Sequence, residues 1–360
     1  MAHNIPAAVI SYTRSYLDIP VHSTAKLLYH MIPSGLILLH KQPGITSFDS
    51  LRDIKRALGT GKAGHTGTLD KFAEGLLLVL TGRALKLSQW FTHCDKQYEG
   101  TICFGTETDT LDPEGAVIAN APLPSRETVE QALSQFRGKI EQAPPAYSAI
   151  HIDGERASAL ARRGDAPEMR KRPVEIYRLE LLSWEPPHAK IFVHCSGGTY
   201  IRSLARDIAF AAGSCAHLTA LLRTQVAGFR LEDAVKLGTR DWGLGTGDCC
   251  SEYGGISKSY PDTSNHNSLV PVPQSLIPIN KTVFESLGIP YFDVSTLDAQ
   301  KIIQGKPLAG ILKNVSSAFP EENNTTAALF SENKLIAVIE KKNGESNRYQ
   351  WSYGYVYARD

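Results

Sequence analysis

Residues 59–70 read Gly59-Thr60-Gly61-Lys62-Ala63-Gly64-His65-Thr66-Gly67-Thr68-Leu69-Asp70, and soon after comes the unbroken apolar run Leu76-Leu77-Leu78-Val79-Leu80. Four glycines and three threonines in twelve residues exclude a stable helix interior, so the first stretch is expected to be a loop whose backbone approaches a ligand closely. A phosphate-binding P-loop fails on inspection. Gly61-Lys62 is followed by Ala63 where a metal-binding hydroxyl is needed, and the four-residue spacing between glycines is absent. What remains is a loop delivering one imidazole, His65, and one carboxylate, Asp70. Asp70 could simply cap the next element, with His65 as polar surface. It could also be a covalent nucleophile, if a cation holds it ionised in a shielded pocket. The apolar run that follows has the length and continuity of a buried strand.

Working outward, Leu36-Ile37-Leu38-Leu39 is a second strand-length run, ended by a Pro43-Gly44 turn. Phe48, Leu51, Ile54 and Leu58 recur at helical spacing after the potential cap Thr46-Ser47, and Gly59 closes that helix. Ala84, Leu87, Trp90 and Phe91 suggest a short helix, and Tyr98, Ile102 and Phe104 alternate with polar residues as in a strand with one wet face. Ser125 caps an amphipathic helix burying Val129, Ala132, Leu133 and Phe136. Residues 174–184 and 190–195 read as strands, and Ile201, Leu204, Ala205 and Ile208 as a helix capped by Thr199. Strands and helices mix without a βαβ rhythm, which predicts an α+β fold, a sheet with flanking helices. Residues 241–275, rich in glycine and serine, read as a linker or long loop, and residues 1–34 as an N-terminal extension. Beyond the linker, residues 276–360 predict a small β-rich domain: a helix near residues 297–305, a hairpin turning at Glu332-Asn333, and strictly alternating Tyr349, Trp351, Tyr353, Tyr355 and Tyr357.

With 42% hydrophobic and 21% charged residues over 360 residues, the chain has a globular composition, and its net charge of +1 gives no sign of a protein that coats nucleic acid through charge alone. By segment the balance differs. Residues 1–240 hold 28 basic and 24 acidic side chains, residues 241–275 hold 1 and 4, and residues 276–360 hold 9 and 9. Six scattered cysteines without a C-x-x-C pair, and no clustered histidines, predict reduced thiols and no metal site. No apolar segment has the length of a membrane span, so a cytoplasmic protein is expected.

A partner for Asp70 is offered by Gly197-Gly198-Thr199-Tyr200-Ile201-Arg202. Arg202 falls in the first turn of a predicted helix, where a cation is unfavourable for the dipole; it is either a solvated arginine, the commoner case at a helix start, or a bidentate partner for a carboxylate elsewhere in the fold.

Taken together, residues 64–70, Gly75-Leu76 and Gly82-Arg83-Ala84-Leu85-Lys86 resemble the signature of bacterial tRNA pseudouridine-55 synthases, the TruB family. Lys96-Gln97-Tyr98, Thr108-Asp109-Thr110-Leu111-Asp112, Pro144-Pro145-Ala146-Tyr147-Ser148-Ala149, Cys195 through Arg202, and His217 through Thr224 extend the resemblance in the family's order over about residues 35–235. One departure is His40-Lys41-Gln42-Pro43-Gly44, where the family usually has Asp-Lys-Pro-x-Gly.

The resemblance implies a mixed, largely antiparallel sheet with flanking helices in residues 35–240, and a PUA-like β domain in residues 276–360. It also implies isomerisation of uridine 55 in the tRNA T-loop, with the base flipped out and no cofactor. Asp70 would be the nucleophile, Arg202 its ion-pair partner, and Tyr98 the ring that stacks on the uracil and removes a proton. Tyr200 and Leu221 would line the pocket, His65 would contact RNA vacated by the base, and Lys86 and Asp112 would sit near the site. A basic insertion at about residues 143–173 would clamp the RNA; residues 155–178 hold seven basic against four acidic side chains. The expected partner is tRNA through its T-stem-loop, met by a monomer, without membrane or metal. Alternatives are a pseudouridine synthase with another RNA target, a catalytically silent tRNA-binding chaperone, and a metal-dependent phosphohydrolase built on Asp109, Asp112 and Glu114, discounted because that cluster lacks histidines.

Overall fold

The computed structural model describes residues 33–165, 167–236, 275–312, 325–343 and 349–357. Most of the expected N-terminal extension and of the linker at residues 241–275 lies outside the described residues. In chain order the first elements are β1 (Gly35–Lys41), α1 (Ser50–Ala57), β2 (Ala63–His65) and β3 (Glu74–Thr81). A 3-10 turn at Gly82–Leu87 leads to α2 (Ser88–Thr92), then β4 (Lys96–Phe104), β5 (Thr106–Thr108), β6 (Val117–Asn120), α3 (Arg126–Ser134) and β7 (Gly138–Gln142). The basic arm contributes β8 (His151–Ile152), β9 (Glu155–Arg156) and α4 (Ala157–Arg162). After it come β10 (Arg172–Glu185), β11 (His188–Cys195), α5 (Ile201–Ala211), β12 (Ala216–Val226), β13 (Phe229–Arg230) and β14 (Val235–Lys236). The C-terminal part holds α6 (Lys281–Ser286), β15 (Tyr291–Asp293), α7 (Thr296–Ile303), α8 (Leu308–Ile311), β16 (Thr326–Ser331), β17 (Lys334–Asn343) and β18 (Tyr349–Val356).

One sheet organises residues 35–236, in the order β14-β1-β3-β12-β4-β11-β10-β7, with β2 paired to β3 and β13 to β12. Only the β1–β14 and β3–β12 pairings are parallel, so the sheet is mixed and largely antiparallel, as expected. The unbroken apolar run of β3 follows from its position, because both its faces are covered. Leu77 and Val79 pack with Leu51 and Ile54 of α1, and Leu76, Leu78 and Leu80 pack with Phe91, Phe284 and Phe330. A separate core lies between β4, β10, β11 and β12 and the helices α3 and α5.

The second sheet, β15-β16-β17-β18, is the small C-terminal β unit. Ala328, Phe330, Leu335 and Val338 close the core behind β1 and β3, while Ala327, Leu329 and Ile339 meet Ile302 of α7 and Ile311 of α8. Gly354 of β18 meets Trp90, where an added Cβ would stand 3.0 Å from the indole.

Three local expectations are corrected. The stretch 59–70 is not wholly loop, because Ala63–His65 pairs with β3. The helix expected after Thr46-Ser47 starts only at Ser50, and Phe48, expected on its buried face, is 70% exposed. Thr46 is used in a turn, accepting from the Asp49 amide at 3.0 Å, and Ser47 is drawn away to Leu69. Thr199 does not cap α5; its hydroxyl donates to the Ser196 carbonyl at 2.9 Å, and Tyr200 holds the N-cap position.

Candidate active site

Asp70 stands at the end of the glycine-rich stretch, just before β3, and the chain around it is held from two sides. Ser47, 2% exposed, donates to the Leu69 carbonyl and accepts from the Leu69 amide, both at 2.9 Å. Lys41, at the end of β1, is fully buried and donates Nζ–H to the carbonyls of Ala73 (2.6 Å), Gln42 (3.1 Å) and Lys71 (3.3 Å). From β12, Arg223 donates to the carbonyls of Leu76 (2.7 Å) and Gly67 (3.1 Å). Arg223 also explains Gly75, whose φ of +116° is open to glycine and whose added Cβ would stand 2.3 Å from the Arg223 carbonyl. Both strands therefore fix the backbone on either side of the carboxylate before any ligand arrives.

Arg202, 4% exposed in the first turn of α5, meets this carboxylate. Its Nη2 donates to Asp70 Oδ1 at 3.0 Å, and its Nε lies 2.8 Å from Oδ2 as an ion-pair contact whose angle falls short of a hydrogen bond. Nη2 also donates to the Tyr147 carbonyl (3.0 Å), and Nη1 donates to the Thr110 carbonyl (2.7 Å) and to Asp112 Oδ2 (3.3 Å). A guanidinium has five N–H donors, and each faces an oxygen here. Three chain segments far apart in sequence thus converge on one side chain.

The charge balance is uneven. Burial and the neighbouring Asp112 push the Asp70 carboxyl above its ordinary value, outweighing the downward pull of Arg202 and Lys41, with burial the largest cause. Burial lowers Lys41 to about 8. Lys96, whose ammonium donates to the Thr92 and Cys94 carbonyls, is lowered to about 8 by burial and by Arg223. Tyr98 is 6% exposed in β4, opposite Arg223 of β12, and burial pushes its phenol up to about 12. Leu221, 6% exposed, belongs with Leu69 and Tyr98 to one apolar cluster.

The remaining expected residues divide. Tyr200 adjoins Arg202, and its main chain is gripped by a side chain that sequence reasoning missed: Gln142, 1% exposed, accepts from Tyr200 N–H at 2.8 Å and donates to its carbonyl at 3.1 Å. Asp112 lies behind Arg202, with Oδ1 accepting from Thr110 Oγ1 (2.6 Å) and the Glu114 amide (3.0 Å). His65 sits on β2 with Arg223 as a charged neighbour; burial, then Arg223, lowers its pKa and favours neutral imidazole. Lys86 places its ammonium 5.3 Å over the Tyr355 ring of the C-terminal sheet. Beside it, Arg83 lies over Tyr357 at 5.0 Å and donates to its carbonyl.

Lys41, Arg223 and Gln142 were not singled out as site residues. For the two cations a signal existed, since each is a lone charge in an apolar strand run; Gln142 carries none. The carboxylates of the discounted phosphohydrolase cluster are occupied by protein donors. Asp109 accepts from the Ala116 amide and Tyr147 Oη, and Glu114 pairs with Lys71 at 3.2 Å. Among the described residues no group of three His, Cys, Asp or Glu side chains is placed to hold a metal ion.

The fold is shared with chains of solved Cbf5-Nop10 complexes. The archaeal box H/ACA Nop10-Cbf5 complex matches with a TM-score of 0.58 at 20% identity, over 93% of this chain and 89% of that one, and a Cbf5-Nop10-Gar1 complex with 0.62 at 22%, over 91% and 86%. Residues 55–201 match the model of the TruB family pseudouridylate synthase N-terminal domain. The tRNA pseudouridine synthase B of Treponema pallidum (strain Nichols) is 33% identical over 350 residues, 86% of this chain and 95% of that protein. Its namesake in Bordetella avium is 50% identical over 207 residues, 56% of this chain and 85% of that protein. The chain belongs to the TruB family of pseudouridylate synthases.

Proposed function

We propose that this protein isomerises uridine 55 in the T-loop of tRNA to pseudouridine, with Asp70 as nucleophile on a flipped-out base. The observation that carries this is the Asp70–Arg202 pair: a carboxylate 35% exposed on a guanidinium 5% exposed, in a chain of this family. A partly open carboxylate on a buried cation whose Nη donors are held by Asp112 and by main-chain carbonyls can meet a substrate without reorganising its partner. In the reaction the N1–C1′ bond breaks, Asp70 holds the detached fragment while the base turns, and a C5–C1′ bond forms; the C5 hydrogen leaves and N1 regains a proton. Tyr98 and Leu221 would receive the uracil, recovering part of the few kcal/mol spent on unstacking. Proton removal by Tyr98 would require its phenolate, which at pH 7 costs about 1.4 kcal/mol for each unit below its pKa. Stacking is therefore its first role. His65 would meet the RNA vacated by the base, Tyr200 would line the pocket, and Asp112 would act through Arg202. Lys86 would contribute through the C-terminal sheet.

The arm at residues 143–173 would clamp tRNA; all seven basic side chains of residues 155–178 are exposed. Residues 35–240 would form the catalytic domain and residues 276–360 the PUA-like one, acting as a monomer in the cytoplasm. Among the described residues no helix is long and apolar enough to cross a membrane. Asp70→Asn should abolish tritium release from tRNA transcripts carrying 5-tritiated uridine while tRNA binding persists. Appreciable turnover by that variant would overturn the nucleophile, and T-loops still modified after gene deletion would overturn the substrate.

A further inference from the structure

Phe48 is a large apolar side chain turned to water at 70% exposure, with Ile45 at 37% beside it in sequence. Leaving a Phe side chain exposed forgoes the free energy of burying it. The turn carrying it is nevertheless firmly built. Gly44 N–H donates to the Lys71 carbonyl at 2.8 Å, Thr46 Oγ1 donates to Asp49 Oδ2 at 2.6 Å, and Ser50 Oγ donates to the Thr46 carbonyl at 3.0 Å. The residue immediately before Phe48 is Ser47, clamped to Leu69, which immediately precedes Asp70. An exposed aromatic ring is thus presented on an ordered turn at the rim of the carboxylate site. Lys55 of α1 stands 5.1 Å over that ring, and Arg52, Arg56 and Lys62 make residues 45–62 basic, four cations against Asp49 and Asp53.

We propose that Phe48, backed by Ile45, is a stacking platform for an unpaired base of the substrate RNA next to the nucleotide that enters the Asp70 site, with Lys55 and its neighbours facing the adjoining phosphates. A base has an apolar face and a phosphate beside it, which is the combination this rim displays. The platform rests on the RNA-isomerase reading above. It differs from the Tyr98–Leu221 pocket, which is buried and takes the reacting base.

The test uses the full chain with Phe48→Ala and Phe48→Trp, an unmodified tRNA transcript, and a fully paired RNA duplex of similar length. Stacking of one base predicts that Phe48→Ala weakens tRNA binding by about five- to a hundred-fold. KM should rise by a similar factor, outweighing any change in kcat. Phe48→Trp should retain affinity, show water-exposed emission in the free protein, and be quenched by the tRNA and not by the duplex. Unchanged affinity of Phe48→Ala, blue-shifted emission of free Phe48→Trp showing the ring covered by the chain itself, or equal quenching by duplex would each overturn the platform. Wild-type protein is assayed for tritium release in parallel. Its failure to turn over tRNA would count against the activity, whereas normal turnover with an indifferent Phe48→Ala would count against the platform alone.

Discussion

Arg202 gives the sharpest prediction, because its charge and its fork can be removed separately. Arg202→Lys keeps a cation with three donors in place of five. At least one of the four oxygens it now hydrogen-bonds, Asp70 Oδ1, Asp112 Oδ2 and the Thr110 and Tyr147 carbonyls, must then go without a donor, and the Nε ion-pair contact with Asp70 Oδ2 is lost as well. A buried loss of this kind costs about 1–3 kcal/mol, so a destabilisation of that order is expected. A carboxylate held by one point donor also loses its orientation, and a hundred-fold fall in kcat, about 2.7 kcal/mol, is the expected minimum. Arg202→Met removes the charge as well. A cation within about 4–6 Å lowers a carboxylate by roughly 1–3 units, and screening at the 35% exposed Asp70 side chain argues for the low end. As the proposed nucleophile Asp70 would have to be ionised, so on that reading loss of the cation should move the acid limb of the kcat profile upward by about one unit. In Arg202→Lys it should scarcely move. Because Arg202→Met also strands the 8% exposed Asp112 side chain, the profile is read in parallel in Arg202→Met/Asp112→Asn, which removes the second carboxylate. The assay is single-turnover tritium release from pH 5 to 9 beside thermal melts. An unmoved acid limb in both Met variants, or near-normal turnover by Arg202→Lys, would refute the assignment of Arg202 as the residue that ionises and aims Asp70.

Two further outcomes follow from the burial of charged and polar groups. Lys41 and Lys96 are lowered to about 8 from 10.5, so each holds its proton less well folded than unfolded, and the penalty of burying the charge is relieved as pH rises above 8. Cys195 and Tyr98, both pushed up to about 12, act in the opposite sense above pH 9 and pH 10, because there the unfolded chain ionises first. Stability should therefore rise from pH 7.5 to 9, by about 1 kcal/mol per lysine, and Lys41→Met should halve the rise; a flat or falling urea midpoint over that window would contradict both assignments. Gln142→Leu should cost about 2–4 kcal/mol in denaturant melts, since it leaves Tyr200 N–H and its carbonyl without their partner, and it should lower kcat more than it raises KM. A fall in stability with kcat intact below the melting range would make Gln142 structural only.

Legibility of the fold tracked how locally each element is determined. The runs at β1 and β3 announced themselves because both faces of those strands are covered, and alternation revealed β4 because one face is half-exposed. Phe48 and Thr199 misled because a periodic pattern extends past the point where hydroxyls are drawn into bonds other than caps, a tertiary one at Ser47 and a local one at Thr199. Ser47 is captured by Leu69 and Thr199 by Ser196, and neither partner lies at a capping position. In the site, Asp70 and Arg202 were found by chemistry out of place, a carboxylate closing a glycine-rich stretch and a cation at a helix start. Gln142 was beyond reach because its partner Tyr200 is 58 residues away and its bonds are to main chain, which leaves no pattern in side-chain type.

The charge count also acquires a different meaning once burial is known. The surplus of residues 1–240, 28 basic against 24 acidic side chains, suggested a basic surface for RNA. Lys41, Lys96, Arg202 and Arg223 are all buried there, while Asp112 is the one buried acid among the described residues. Within residues 33–236, 25 basic side chains stand against 23 acidic, so the four buried cations and one buried acid leave the other described side chains close to neutral, while the buried cations order the backbone around Asp70. Exposed cations are found instead on the arm, at Arg156, Arg162, Arg163, Arg170 and Lys171, on the adjoining strand β10 at Arg172 and Arg178, and on the rim around Phe48. Attraction to RNA would then come from two small basic regions flanking a site whose own cations already face protein oxygens. Such a surface suits recognition of one folded loop by shape and by an extruded base, with phosphate contacts placing the loop and not supplying most of the affinity.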